Sequence, residues 1–261
     1  MSAARQRRPE LSQHFLRSRE LARTLVDLMG IRPSDLVVEV GPGHGALTDY
    51  LARRASRLVA VELDADLAAK LCAAYGNIPA VEVVTGDFLK FPVPGGARVA
   101  GSLPYRITAD AIRHVVRSGA ADAHFVVQRE AAKRFAGSPW GPETLPSLSL
   151  KPWWHIEVVR ALRRTDFEPP PTVDSAMLWL ARRRPSLLRP EQAQDYHQFL
   201  ETAFGDARTL GRALARVFTR VQIDRLRRDL CLDLAAPPSA ASFDRWLALF
   251  RAAKILAVNR R

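Results

Sequence analysis

Cysteine, lysine and negative charge are what this chain has little of. Its 261 residues hold two cysteines, Cys72 and Cys231, far apart and outside any metal-ligand spacing. They imply neither a disulfide framework nor a zinc site, which fits a reducing cytoplasm. Six histidines show no triad or metal spacing, so no metal is expected. No apolar run approaches the length of a membrane span, and no apolar stretch follows the basic start Met1–Glu10, so a secretory signal is not expected. Lysine occurs only at Lys70, Lys90, Lys133, Lys151 and Lys254, an arginine bias that a GC-rich genome explains. That bias does not explain the net charge of +12, from 39 Lys+Arg against 27 Asp+Glu. Such an excess favours a polyanionic partner, nucleic acid ahead of a membrane surface. Hydrophobic residues at 48% and charged residues at 25% are ordinary for a soluble globular protein, large enough here for one sizeable core and a smaller second unit.

The stretch that organises the rest is Leu36-Val37-Val38-Glu39-Val40-Gly41-Pro42-Gly43-His44-Gly45. A β-branched apolar run ends in an acid, turns through alternating glycines and passes into the helically spaced Ala46–Arg54. Strand, tight glycine turn and helix open a nucleotide-binding α/β sheet, although a lone glycine-rich turn of this kind is also met as a plain connection. Gly41, Gly43 and Gly45 are spaced G-x-G-x-G, with Ala46 where a dinucleotide fingerprint has its third glycine. Spacing alone leaves NAD open. Glu39 tips the balance, because an acid at a strand end suits the ammonium group that S-adenosylmethionine has and NAD lacks.

Upstream, Ser18 to Met29 reads as a capped helix. Downstream, strands are predicted at Arg57–Asp64, Val81–Asp87, Val99–Tyr105 and His124–Gln128, with helices at Ala65–Tyr75 and Ala109–Arg117. This alternation predicts a mostly parallel, Rossmann-like sheet covered on both faces, with its ligand beyond the carboxyl ends of the strands. Glu39, Glu62, Asp87 and the Ser102 turn all fall on that rim. Beyond Lys133 the pattern loosens: Ser138–Pro142 is a loop, and Trp153–Arg160 and Ala176–Leu180 are late strands. Arg182–Pro185 reads as a linker, and from Gln192 to Lys254 the pattern is helical. The expected domains are therefore 1–184, with 1–17 a basic arm and cofactor motif, and a helical 185–261.

Glu62, about twenty residues after the glycine turn, is placed to accept both ribose hydroxyls of a nucleoside. Asp87 after Gly86 suits an adenine amino group, since an ionised carboxylate only accepts hydrogen bonds. Ser102-Leu103-Pro104-Tyr105 is the catalytic candidate. An exocyclic base amine is a poor nucleophile because its lone pair is delocalised into the ring. The Ser102 oxygen and a main-chain carbonyl of the proline turn can accept the amino hydrogens and localise that pair, while Tyr105 offers a face for the base.

With these residues in hand, the chain resembles the rRNA adenine-N6 dimethyltransferases, and among them the erythromycin-resistance (Erm) methyltransferases of 23S rRNA. The resemblance rests on Ser12–Leu16, Glu39–Gly45, Glu62–Asp64, Gly86–Phe88, Ser102–Tyr105 and Phe167–Ser175. It implies a class I S-adenosylmethionine-dependent methyltransferase domain with a small all-helical C-terminal RNA-binding domain. Cofactor contacts implied by the family fall at His14, Leu16, Gly41, Glu62, Asp87 and Ser102, with Gln13 nearby and Tyr105 and Phe167 packing the target base; Glu39 and Gly43 of the turn are expected to join the cofactor set. The family usually has Asn at the positions of His14 and Ser102. A serine hydroxyl accepts as an amide oxygen does, on a side chain about one bond shorter, which bears on dimethylation more than on methylation. The C-terminal stretches Phe199–Gly205, Thr209–Leu214 and Ser242–Arg251 resemble actinobacterial Erm enzymes. They point to N6-methylation of a macrolide-site adenine in 23S rRNA, and so to resistance to macrolides, lincosamides and streptogramin B. A 16S rRNA dimethyltransferase and a non-catalytic RNA-binding protein are the alternatives. RNA contacts are expected from Arg5, Arg7, Arg8, Lys133, Arg134, Arg160, Arg163 and Arg164. The expected protein is a cytoplasmic monomer acting on 23S rRNA, free or in an early large-subunit precursor, and not on a membrane.

Overall fold

The computed structural model describes residues 15–258, and the chain clusters into two compact units. The first runs through Ala132 and takes in Glu157–Ala181. The second comprises Lys133–Ile156 and the chain from Arg182 onward. Its later join lies three residues before the Pro185 expected from sequence. The recruitment of Lys133–Ile156 had no counterpart in the sequence pattern.

In the first unit, β1 (Phe15–Leu16) leads to α1 (Arg19–Met29). Ala22, Leu25, Val26 and Met29, at helical spacing, are buried. Ser18 caps the helix, accepting from Leu21 N–H at 3.2 Å. The apolar runs then become β2 (Leu36–Val40), β3 (Arg57–Glu62), β4 (Val81–Thr85), β5 (Arg98–Ser102) and β6 (Asp122–Gln128). Between them lie α2 (Thr48–Leu51), α3 (Ala65–Tyr75) and α4 (Thr108–Arg117). With β7 (Trp154–Leu162) and β9 (Ser175–Arg182) they form one seven-stranded sheet, ordered β4-β3-β2-β5-β6-β9-β7. The five strands β4 to β6 are mutually parallel, and β9 lies antiparallel to β6. A separate ribbon pairs β1 with β8 (Phe167–Glu168), Leu16 opposite Phe167. The helix after the glycine turn is shorter than its periodicity predicts. It ends at Leu51, whose carbonyl accepts from both Arg54 and Ala55 N–H as the chain turns back to start β3.

At the opposite end of the sheet from the glycine turn, Arg98 ties several elements together. Its guanidinium bonds Asp122 and Asp35, at 2.8 and 2.9 Å, and the carbonyls of Met29 and Gly30. Burial alone would raise the Asp35 carboxyl; the Arg32 N–H and the Arg98 charge outweigh it and hold the group below its ordinary value.

The second unit contains the end of α5 (Arg129–Ala136) and α6 (Leu145–Leu150), neither of which the sequence pattern disclosed. It continues with α7 (Ala193–Phe204), α8 (Leu210–Leu214), α9 (Arg220–Asp229) and α10 (Phe243–Val258). Its core includes Leu148, Tyr196, Phe199, Leu200, Trp246 and Phe250. The polar ends of its buried aromatics are satisfied: Tyr196 Oη donates to Leu148 C=O and Trp246 Nε1 to Pro238 C=O, each at 3.2 Å.

Arg98→Ala leaves two half-buried carboxylates without their cation. It is expected to lower the stability of the first unit by roughly 3 kcal/mol, read as a shifted urea midpoint. Arg57→Ala, which breaks the exposed Arg57–Glu82 pair, should cost less than about 1 kcal/mol. Equal effects would show that the Arg98 cluster carries no special weight.

Candidate active site

Parallel pairing places the site. Val40 lies opposite Val61 on one side and Gly101 on the other, and Glu62 lies opposite Thr85. The carboxyl ends of β2, β3, β4 and β5 therefore share one rim. Over it opens a cavity of about 170 Å³. Every described residue expected to hold the cofactor lines it: Leu16, Glu39, Gly41, Gly43, Glu62, Asp87 and Ser102. So do Leu103, Pro104 and Phe167 of the catalytic set. Leu16 and Phe167 reach the cavity together because β1 pairs with β8. Gln13 and His14, like Arg5, Arg7 and Arg8, lie outside the described residues.

Gly41, Gly43 and Gly45 all have positive φ, at 58°, 60° and 82°. At Gly43 a Cβ would also stand 2.8 Å from the Phe15 ring, so both backbone angle and packing demand glycine there. The turn is held from inside by Glu62. One carboxylate oxygen accepts from Gly43 N–H and the other from Asp64 N–H, both at 2.9 Å, and the residue is buried. Each oxygen has a further lone pair for a ligand hydroxyl.

Glu39 is buried and its Oε2 accepts from Thr48 Oγ1 at 2.7 Å. Burial pushes its carboxyl up to about 8, and the nearby Glu62 and Asp49 charges add to the rise against the Thr48 hydrogen bond. Near neutrality Glu39 is thus largely protonated, and an arriving ammonium group would favour its ionised form. Asp87 accepts from Leu89 N–H at 2.9 Å through one oxygen, which opens the short turn Phe88–Lys90 and leaves the second oxygen for a ligand.

Ser102 ends β5 half-buried. Leu103 N–H is fixed to Val126 C=O at 3.0 Å, and the Pro104 carbonyl accepts from Ile107 N–H at 3.1 Å. The remaining member of the catalytic set is Tyr105. It is not part of the cavity lining, and its hydroxyl is tied to Ser175 Oγ, 2.8 Å away at the start of β9.

Sequence reasoning assigned no role to several lining residues: Phe15, His44, Leu63, Arg106 and Ile107. The Phe15 and His44 rings lie 4.3 Å apart beside the glycine turn. Leu63 is 54% exposed between two acids, a conspicuous place for an apolar side chain and a usable signal. Arg106 is an exposed cation in a lining that also includes Glu39, Glu62 and Asp87. Of the expected RNA contacts, Arg160, Arg163 and Arg164 are exposed on the first unit. Arg134 is exposed and Lys133 half-buried on the second. Among the described residues no cluster of three or more His, Cys, Asp or Glu could hold a metal ion, and no helix is long and apolar enough to cross a membrane.

The family model described as ribosomal RNA adenine dimethylase matches residues 4–251. An rRNA adenine N-6-methyltransferase of Streptomyces fradiae is 34% identical over 249 residues, covering 94% of this chain and 78% of that one. A ribosomal RNA small subunit methyltransferase A of Xylella fastidiosa is 34% identical over 219 residues, covering 79% and 82%. The crystal structure of the 23S rRNA methyltransferase ErmE superposes with a TM-score of 0.85 at 30% identity, covering 92% of this chain and 99% of that one.

A carboxyl raised from 4.5 to about 8 stabilises the fold fully below pH 4.5 and loses that contribution as pH climbs to 8. Ligand-free Glu39→Gln should therefore melt progressively above the wild type across that range. Calorimetry with S-adenosylhomocysteine in buffers of different ionisation enthalpy should find a proton released by the wild type at pH 7 and none by E39Q, which binds more weakly. Identical proton counts would remove Glu39 from the ammonium contact.

Proposed function

Because the chain belongs to the ribosomal RNA adenine dimethylase family, we propose that it methylates N6 of one adenine in 23S rRNA, at the macrolide-binding site. That modification would block macrolides, lincosamides and streptogramin B from binding. The reaction class itself, transfer of methyl from S-adenosylmethionine to an rRNA adenine, follows from the family. The 23S assignment is carried by the extent of likeness. The 23S rRNA methyltransferase ErmE superposes over 92% of this chain and nearly the whole of its own length, at a TM-score of 0.85. A target confined to 16S rRNA, or RNA binding without catalysis, is an outcome of the test below.

The cavity residues suit the cofactor. Glu39 receives the ammonium group, Glu62 the ribose hydroxyls and Asp87 the adenine amino group, while the glycine turn lets the backbone come close. When bound, S-adenosylmethionine supplies an electrophilic methyl group. The chain's own part is to hold and activate the amine. Ser102 Oγ and the Leu103 carbonyl accept the two amino hydrogens, so that the nitrogen lone pair is directed along the line of transfer. Phe167 packs against the base inside the cavity, and Tyr105, anchored at Ser175, presents a face outside it. Arg160, Arg163 and Arg164 on one unit, and Lys133 and Arg134 on the other, take phosphates and set the register of the RNA. The arginine-rich second unit is an RNA-binding domain. The protein works as a cytoplasmic monomer on free 23S rRNA or an early large-subunit precursor.

Incubation with labelled S-adenosylmethionine and protein-free 23S or 16S rRNA, with the modified base mapped by primer extension, tests this reading. A stop at the macrolide-site adenine supports it, and product mass counts the methyls. Label in 16S rRNA alone, or none despite cofactor binding, overturns it. Ser102→Ala should slow single-turnover transfer by about tenfold or more with little change in cofactor affinity. Ser102→Asn should restore the rate and raise the dimethyl share. Lys133→Glu with Arg134→Glu should weaken RNA affinity and leave cofactor affinity alone; unchanged RNA affinity would take both residues out of the interface.

A further inference from the structure

Eight large apolar side chains are exposed among the described residues, and Trp140 is the one aromatic among them, at 42%. An exposed tryptophan forgoes the burial that makes the residue valuable in a core. Here the surrounding turn is built to present it. Trp140 N–H and Gly141 N–H both bond to Gly137 C=O, at 2.9 and 3.0 Å, and Gly137 N–H bonds back to Lys133 C=O at 2.8 Å. Gly137 has φ +63°, and a Cβ there would stand 2.3 Å from Glu143 Oε2 and 2.9 Å from Lys151 Nζ. Those two groups form a buried ion pair at 2.6 Å, with Ser147 Oγ also donating to Glu143. The turn thus sits directly on a fixed, buried charge pair. Its far side is pinned as well: Thr144 Oγ1 donates to Arg134 C=O at 2.6 Å, and a Cβ at Gly141 would lie 3.5 Å from Lys133 Cβ. The indole is therefore displayed on a braced turn against the last turn of α5, which carries Lys133 and Arg134.

We propose that Trp140 is a stacking platform for an unpaired base of the substrate RNA, with Lys133 and Arg134 holding the phosphates beside it. The inference rests on the reading of the chain as an rRNA-modifying enzyme and adds a contact outside the catalytic cavity. An aromatic face next to cations is the arrangement that binds single-stranded nucleic acid. The base gains stacking, the backbone gains charge neutralisation, and a turn already braced loses little main-chain freedom on binding. A covering protein surface would be served by a wider apolar patch; here the turn packs on the segment of α5 that carries Lys133, whose Cβ would lie 3.5 Å from a Cβ at Gly141.

The test uses the full chain and a hairpin of 23S rRNA containing the target adenine, with RNA affinity measured for wild type, Trp140→Ala and Trp140→Phe. W140A should bind about tenfold more weakly and W140F nearly as wild type, with melting temperature and S-adenosylhomocysteine affinity unchanged in both. Hairpins made abasic at one unpaired position after another identify the stacked base. At that position the wild type should lose what W140A has lost, and W140A should lose nothing more. Unchanged RNA affinity in W140A, or an equal loss at every abasic position, overturns the proposal. Loss of a wild-type dimer in W140A, seen by sedimentation, would assign the indole to self-association instead. Failure to methylate 23S rRNA with W140-dependent RNA binding intact would count against the proposed function alone.

Discussion

The glycine turn at the head of the sheet keeps its shape through one carboxylate. Glu62 stands at the end of β3, yet its two oxygens grip Gly43 N–H on the neighbouring connection and Asp64 N–H on its own. A buried acceptor with two main-chain donors is strong and directional, and it fixes three things together: the positive-φ turn, the start of α3 and the floor of the cavity. The acid expected to meet a ribose is thus already part of the scaffold. Removing it would unfasten the turn before it disturbed any ligand.

Around that anchor the charges are unevenly satisfied, in a way that suits binding. At the other end of the sheet, Arg98 pairs with the carboxylates of both Asp35 and Asp122. On the rim, Glu39 is buried, is hydrogen-bonded by Thr48 and faces other acids. One end of the sheet thus pairs its acids with a fixed guanidinium, while on the rim burial and neighbouring acids raise the Glu39 carboxyl.

Much of this was legible in the sequence because its causes are local. Apolar runs of strand length ending in acids, alternating with helical spacing, specify a parallel sheet and put Glu39, Glu62, Asp87 and Ser102 on one rim, as found. What escaped lacks a local cause. The β1–β8 ribbon joins two-residue strands some 150 residues apart, and neither carries a periodicity of its own. Helix α6 has six residues with a proline near its start, too short for a pattern. Residues Lys133–Ile156 join the helical unit through the Glu143–Lys151 pair and the packing of Leu148, contacts with partners distant in the chain. Tyr105 follows the same rule. Its proline turn was visible, but the bond to Ser175 that fixes its ring belongs to tertiary structure.

The ribbon of β1 and β8 has a temporal consequence. All four rim residues are present once the chain has been made through Ser102, and β2 to β5 are near neighbours in sequence. The wall formed by Leu16 and Phe167 closes a loop of some 150 residues, an entropically expensive contact that forms late. During synthesis from the amino end, the sheet can assemble while its cavity still lacks that side. The segment around Phe167 therefore completes that wall well after the four rim residues have left the ribosome.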